Sequence, residues 1–296
     1  MTEPATPEFL TVPELAALLR IKERKVYDLA ASGDVPCSRA TGKLLFPAAE
    51  IRDWIAGASS GGAHVDAGGN RPAILLGSHD PLLEWAVRQS QCGMATFLDG
   101  SHDGLSRFRA GAGIAAGVHI RDADGDDWNV AQVARLFAGK NVALIAFARR
   151  RRGLVLGRDL ADKVRGPADL CGHDFVARQA DSGTERLWGD ILEESRVNPD
   201  DIPVVETARS EMDAVFAVAS GTARATFGLE PLAQQFGLGF VPMIEERFDL
   251  VVDRKAWFDP PMQRLLGFLH DAAFAAKAKA SPGYDIADLG QVRWNG

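Results

Sequence analysis

Positive charge is not in excess in this chain: 33 Lys and Arg face 40 Asp and Glu, for a formal net charge of -7. That balance excludes a protein coated along its length by nucleic acid and allows only a local basic patch. Cysteine is scarce as well. Cys37, Cys92 and Cys171 are odd in number, widely spaced and free of any Cys-x-x-Cys pair, so neither a disulfide framework nor a zinc ribbon is expected. No apolar run approaches the ~18 residues that cross a bilayer, and the opening MTEPATPEF has neither a basic n-region nor an apolar h-region. A cytoplasmic protein with no membrane partner is the expectation. A G-x-S-x-G nucleophile elbow is also missing, and no cofactor motif stands out, which points away from an enzyme.

What is present begins at residue 9. Thr11-Val12-Pro13-Glu14 has the form of a capping box, and Leu15, Leu18 and Leu19 then fall on one helical face. Arg20-Ile21-Lys22 makes a turn. Glu23 to Ser32 reads as a second helix with Val26, Leu29 and Ala30 inward and Gly33 as a left-handed cap. CSRATGKLLF suggests two short strands around Thr41-Gly42, and Ala48 to Ile55 a third helix. Helix, tight turn, helix is the motif that places its second element in a DNA major groove. Between residues 20 and 43 six cations stand against three anions, a modest excess that fits salt-sensitive binding to double-stranded DNA. Lys22, Arg24, Lys25 and Tyr27 are the groove candidates, with Arg39 and Lys43 for phosphates. Ordinary solvated helix charges are the bland alternative for any one of them.

Residues 57–72, GASSGGAHVDAGGNRP, are too polar and glycine-rich to pack and read as a linker. Alternating strand and helix signals follow to the end of the chain, so the organisation expected is 1–56, 57–72 and 73–296. The strand Ala73 to Leu76 ends at Ser78-His79-Asp80, and Ala95 to Leu98 ends at Ser101-His102-Asp103, the same tripeptide 23 residues on. Ala116 to Val118 delivers His119. In a parallel α/β sheet such turns meet at the carboxyl edge of the strands, where helix N-termini and serine hydroxyls suit a small anion. Simple N-caps are the bland alternative. His79, His102 and His119 have the chemistry of a zinc or nickel set, but their spacing lacks any tight ligand signature and no metal is expected.

Val142 to Ala148 is an apolar strand that runs into Arg149-Arg150-Arg151-Arg152. The run could be a nucleic-acid patch, a solvated hinge or cations facing a cleft. Side chains alternate along an extended segment, so only about half can face any one surface. The favoured reading is a crossover between lobes with one or two arginines toward an anion, Arg149 and Arg152 being the candidates. A strand then carries Arg178 and Gln179 to the helix start Ser182-Gly183-Thr184, whose amides and hydroxyls can approach a ligand closely. The helix Ser210 to Ser220 is read as core through Met212, Val215, Phe216 and Ala219. The strands Gly239 to Pro242 and Phe248 to Val252 return the chain, and one final helix spans Pro261 to Lys277.

Two resemblances rest on these residues. L-T-V-x-E-x-A, V-Y-x-L-x-x-x-G, the G-K wing and F-x-x-x-E-I-x-x-W make residues 9–55 resemble excisionase-type, MerR-like winged helix-turn-helix modules. GSHDPLLEW, G-V-H-I, R-R-G-L-V, R-Q-x-x-S-G-T-x-R-L, A-V-F-A-V-A-S-G-T-A and F-V-P-M-I-E-E-R-F-D-L-V make residues 73–290 similar to periplasmic-binding-protein-like domains of bacterial regulators, a family similar to molybdate and tungstate binding proteins. The resemblance implies an α/β protein with a small α-rich head and a two-lobed type II binding-protein-like domain, lobe I from 73–149 and 247–296 and lobe II from 150–246. It implies a one-component transcription regulator that senses a molybdate- or tungstate-like oxyanion or related metabolite. Arg152, where the family usually carries Gln, and His102, in a turn that is usually Leu-rich, suit a larger or more highly charged anion. A single head offers a small footprint, so a homodimer or higher even oligomer is expected. An effector-free DNA-binding or recombination factor and a small-molecule enzyme are the alternatives.

Overall fold

The computed structural model describes residues 8–33, 35–38, 42–48, 50–51, 54, 71–122, 127–180 and 182–296. The chain forms two compact units, Met1–Gly68 and Gly69–Gly296.

In the first unit, α1 (Val12–Leu19) and α2 (Glu23–Ser32) are joined by a turn in which Arg20 takes a left-handed backbone, φ 54°. Glu14 accepts hydrogen bonds from the Thr11 amide and hydroxyl, both at 2.7 Å, which fixes the first turn. Gly33 closes α2 at φ 75°, a conformation that costs glycine little. β1 (Phe9–Leu10) pairs antiparallel with β2 (Phe46–Pro47), Ser38 bridges Leu45, and helical backbone resumes at Ala48, Glu50, Ile51 and Trp54. Leu15, Val26, Phe46 and Ile51 are wholly buried at the centre of this unit. Leu18, expected on the apolar face of α1, is instead exposed. The buried stripe runs through Val12, Leu15, Ala16 and Leu19, the i, i+3, i+4, i+7 positions of one face, and Leu18 lies off it.

The second unit is built on two long antiparallel strands, β6 (Val142–Leu156) and β10 (Gly239–Asp253), which serve both lobes. In lobe I, β3 (Ile74–Gly77), β4 (Ala95–Phe97) and β5 (Ala115–Val118) lie parallel in the order β4-β3-β5, and β5 joins the carboxyl half of β10. In lobe II, β7 (Phe175–Arg178), β8 (Val204–Ala208) and β9 (Ala225–Leu229) lie parallel in the order β8-β7-β9, and β9 joins the carboxyl half of β6. The result is two parallel half-sheets that share one antiparallel ribbon. Each has its own core: Leu75, Phe147, Phe248 and Leu265 in one, and Leu154, Phe175, Trp188 and Phe227 in the other. Trp188 stacks between Phe175 and Phe227 at 5.1 and 5.3 Å, which anchors α6 (Gly183–Glu194) on its sheet.

Four expectations change. The strand expected over Val142 to Ala148 continues through the arginine run to Leu156, because β10 supplies backbone partners along one edge while Tyr284–Asp285 and then β9 supply them along the other. Likewise, 239–253 is one strand rather than two. The final helix is split into α8 (Pro260–Leu269) and α9 (Ala272–Lys279), with Asp271 capping the second through the Ala273 amide at 2.8 Å. In α7 (Glu211–Ala219) the inner face holds Glu211, Ala214, Val215 and Val218, while Phe216, expected in the core, is 59% exposed.

Candidate functional site

The carboxyl ends of β3, β4 and β5 bring the two Ser-His-Asp turns and His119 together, and glycines set the distance. α4 (Ser101–Arg109) packs so tightly on β3 that a Cβ on Gly104 would lie 2.2 Å from the Gly77 Cα. Only hydrogen at Gly104 allows that approach, and Gly77 in turn faces Gly117 of β5, where a Cβ would lie 2.2 Å from the carbonyl oxygen. Ser78 Oγ and Ser101 Oγ therefore meet at 2.7 Å, and Ser101 Oγ also accepts the His119 amide at 3.1 Å.

The two tripeptides share sequence but not geometry. Asp80 is buried, caps α3 (Pro81–Gln89) through the Leu83 amide at 2.7 Å, and accepts from Arg150 at 2.8 Å and Tyr284 at 2.5 Å. Asp103 turns outward to Arg107 at 2.7 Å. His79 pairs with Glu84 at 2.9 Å, His102 accepts from Arg186 at 3.2 Å, and His119 pairs with Glu246 at 3.0 Å. The three histidines thus have separate partners, and among the described residues no metal-binding cluster is formed.

The β6–β10 register places Arg150 opposite Glu246 and Arg151 opposite Glu245. Period-2 alternation then sorts the arginines: Arg150 and Arg152 are wholly buried, whereas Arg149 pairs outward with Glu245 and Asp288 and Arg151 with Glu230. A surface shared by Arg149 and Arg152 is therefore not what forms. Arg149 leaves the candidate site and Arg150 enters it. Glu246 accepts from Arg150, from Arg152 Nε at 3.1 Å and from His119 Nδ1. Glu211, at the start of α7, accepts from Arg152 at 2.9 Å and Thr184 at 2.7 Å, with Arg178 in charge contact at 3.0 Å. Arg178 also donates to the carbonyls of Ala208 and Arg209, at 3.1 and 2.8 Å.

Three guanidiniums, Arg150, Arg152 and Arg178, are thus matched by three carboxylates, Asp80, Glu211 and Glu246. Burial alone would raise both glutamate carboxyls, but the adjoining arginines hold Glu211 down at about 2 and Glu246 well below the usual range. Burial pulls Arg150 down, and Glu246 and Asp80 more than reverse it. For His119 burial prevails over the pull of Glu246, so its pKa is lowered and the ring is neutral near pH 7. Among the described residues, Glu211 Oε2 has no hydrogen-bond partner within this cluster.

The lobes touch around the same cluster. Gln179 donates to the Asp99 carbonyl at 3.2 Å, and a Cβ on Gly183 would come within 3.0 Å of His119 Cε1. Ser182 is occupied in capping α6 through the Glu185 amide at 3.1 Å. Next to this contact lies a cavity of about 600 Å³ bordered by His102, His119, Arg121, Gln132, Arg135 and Arg186. A separate cavity of about 690 Å³ is bordered by His79, Trp85, Met212, Gln234, Lys277 and Tyr284.

Arg150, Glu211, Glu246 and Tyr284 were not legible as site residues. Arg150 could have been found from its two-residue spacing to Arg152; the two glutamates and Tyr284 depend on strand register and helix docking, which leave no local signal. In the first unit, Lys22, Arg24, Lys25 and Tyr27 are exposed on or beside α2, and Lys43 is exposed as well. Arg39 lies outside the described residues.

A family described as a PBP superfamily domain matches residues 83–270, and one described as a helix-turn-helix domain matches residues 9–59. A curated relative from Bacillus subtilis (strain 168), named "Uncharacterized protein YvgK", is 24% identical over 302 residues, covering 95% of this chain and 96% of that one. Among solved structures, the effector binding domain of QuiR in complex with shikimate aligns at TM-score 0.48 and 10% identity over 68% of this chain and 94% of that one. The regulatory domain of MetR, a LysR family regulator from N. meningitidis, aligns at TM-score 0.48 and 13% identity over 72% and 98%.

Proposed function

The chain belongs to the PBP superfamily and carries a helix-turn-helix domain ahead of that fold, and on this premise we propose that it is a one-component transcription regulator that takes a small anion between its lobes. The pairing of a DNA-binding head with a ligand-binding fold fits such a regulator. The observation that carries the reading is one polar chain running from lobe to lobe: Ser78 to Ser101, Ser101 to His119, His119 to Glu246, Glu246 to Arg152, and Arg152 through Glu211 to Thr184. A guest that alters any link changes how the two halves meet, and closure of that kind is the usual way such folds report a ligand.

The proposed ligand-side residues are Ser78, His79, Asp80, Ser101, His102, His119, Arg152, Arg178, Gln179, Ser182, Gly183 and Thr184, with Arg150 in place of Arg149. The proposed DNA-side residues are Lys22, Arg24, Lys25, Tyr27 and Lys43, with Arg39 from the sequence. The head works in pairs, as a homodimer or higher even oligomer on a pseudo-palindrome. Molybdate and tungstate stand as the inorganic members of the ligand class and small organic acids as the others.

The test has two arms. A site selected from random duplexes should shift in a mobility assay, and Lys25→Ala with Lys43→Ala should weaken the shift about tenfold or more while the melting temperature holds. A thermal-shift series with molybdate, tungstate, sulfate and small carboxylates should raise the melting temperature with concentration for at least one member, and that member should change the mobility shift. A ligand that stabilises without touching DNA affinity, or none that stabilises at all, would defeat the sensor reading.

A further inference from the structure

We propose that the effector is a hydroxylated organic di- or tricarboxylate seated in the 600 Å³ cavity, its carboxylates on Arg135 and Arg186 and its hydroxyl on His119 Nε2. This rests on the sensor reading above and specifies which anion that reading requires.

Charge comes first. At the centre every buried guanidinium already has a carboxylate, so a dianion placed there would enter a neutral, dehydrated locus at high cost. In the adjoining cavity the balance differs: among the described residues that border it, Arg121, Arg135 and Arg186 stand against Asp122 alone. Arg121 pairs with Glu194 at 2.6 Å. Arg135 bonds only to the amide side chain of Gln132 at 2.6 Å, and Arg186 only to His102. Among the described residues neither has a carboxylate partner. Arg135 lies on α5 (Val130–Phe137) in lobe I and Arg186 on α6 in lobe II, so one ligand with two carboxylates can tie the lobes together.

His119 supplies the second, independent constraint. It is only 4% exposed, borders the cavity, and gives its Nδ1 proton to the ionised Glu246. Nε2 of the neutral ring is then a lone-pair acceptor with no protein donor among the described residues. A fully deprotonated oxyanion such as molybdate, tungstate or sulfate, or a bare carboxylate, offers only acceptors at that point and would be repelled. A hydroxyl donates to it. The size agrees, because a tetrahedral oxyanion would fill a small part of 600 Å³, and cavities of this order hold organic molecules.

Citrate and tricarballylate test this directly, since they carry the same three carboxylates and differ by one hydroxyl. Titration calorimetry on the full chain should show citrate binding and tricarballylate about tenfold weaker. Arg135→Ala and Arg186→Ala should each weaken citrate at least tenfold, and more at low salt than at high, with unchanged melting of the free protein because both side chains are exposed and lack ion pairs. Equal binding of the two acids, wild-type affinity in either variant, or no binding of citrate overturns the proposal. If molybdate stabilises the wild type and both variants while citrate does not, the sensor reading stands and this seating falls. If no probe stabilises anything, both fall.

Discussion

Around the ribbon shared by the lobes three arginines face three carboxylates; in the cavity beside it, Arg135 and Arg186 have no carboxylate partner among the described residues. The difference lies in access to water. A guanidinium removed from solvent must be matched within the fold or it destabilises it by several kcal/mol, so the central cations are committed to structure. A cation that keeps contact with solvent can wait unmatched at little cost, and it is those that remain available to an anion from outside. The arginines most deeply placed in the cleft are therefore held by the fold itself, and the more exposed ones are those we propose to recruit the anion.

The strongest way to break this contrast is Glu246→Ala. It strips Arg150, Arg152 and His119 of a shared partner and should cost about 3–5 kcal/mol in urea denaturation; a loss below about 1 kcal/mol would show that the centre is not self-neutralised. Next is acid. The folded-state pKa of Glu211, about 2, lies below its ordinary 4.5, so its contribution is complete above about pH 4.5 and disappears as pH falls toward 2, a swing on the order of 3 kcal/mol. Glu211→Gln should flatten that limb of the stability curve. An unchanged slope would assign the acid sensitivity to another group.

Gly183→Ala probes the seam between the two regions. Its new methyl would press on His119 at 3.0 Å, and the ring cannot move aside while it is bonded to Glu246 and stacked on Phe248. The expected loss is about 1–2 kcal/mol in spite of alanine's better helix propensity, and a gain in melting temperature would mean that the lobes part easily. Smallest is the effect of Arg186→Ala on the free protein, whose denaturation midpoint should stay in place. A clear drop would place Arg186 with the structural arginines instead.

Particular residues show where the sequence was readable. The Thr11-Glu14 contact, the Gly33 cap, the paired turns at Ser78 and Ser101 and the helix start at Ser182 are all local patterns, since capping and turn chemistry act over three or four residues. Phe216 and Leu18 were misplaced because a periodic pattern gives a face but not its width. The arginine run was misread for a different cause. Alternation says that only half of four consecutive charges share a face, and only pairing on both edges shows which half is buried.

The sequence by itself determined that there would be a small helical head, a parallel α/β domain, and polar turns collected at one sheet edge, because backbone propensity, hydrophobic period and capping are written residue by residue. Which arginines are spent on carboxylates and which stay open was decided only in three dimensions. Glu246 reaches Arg150 through a strand register spanning 96 residues of chain, and Glu211 reaches Arg152 through the docking of a helix. Charge compensation is a property of neighbours in space, and no local rule carries it.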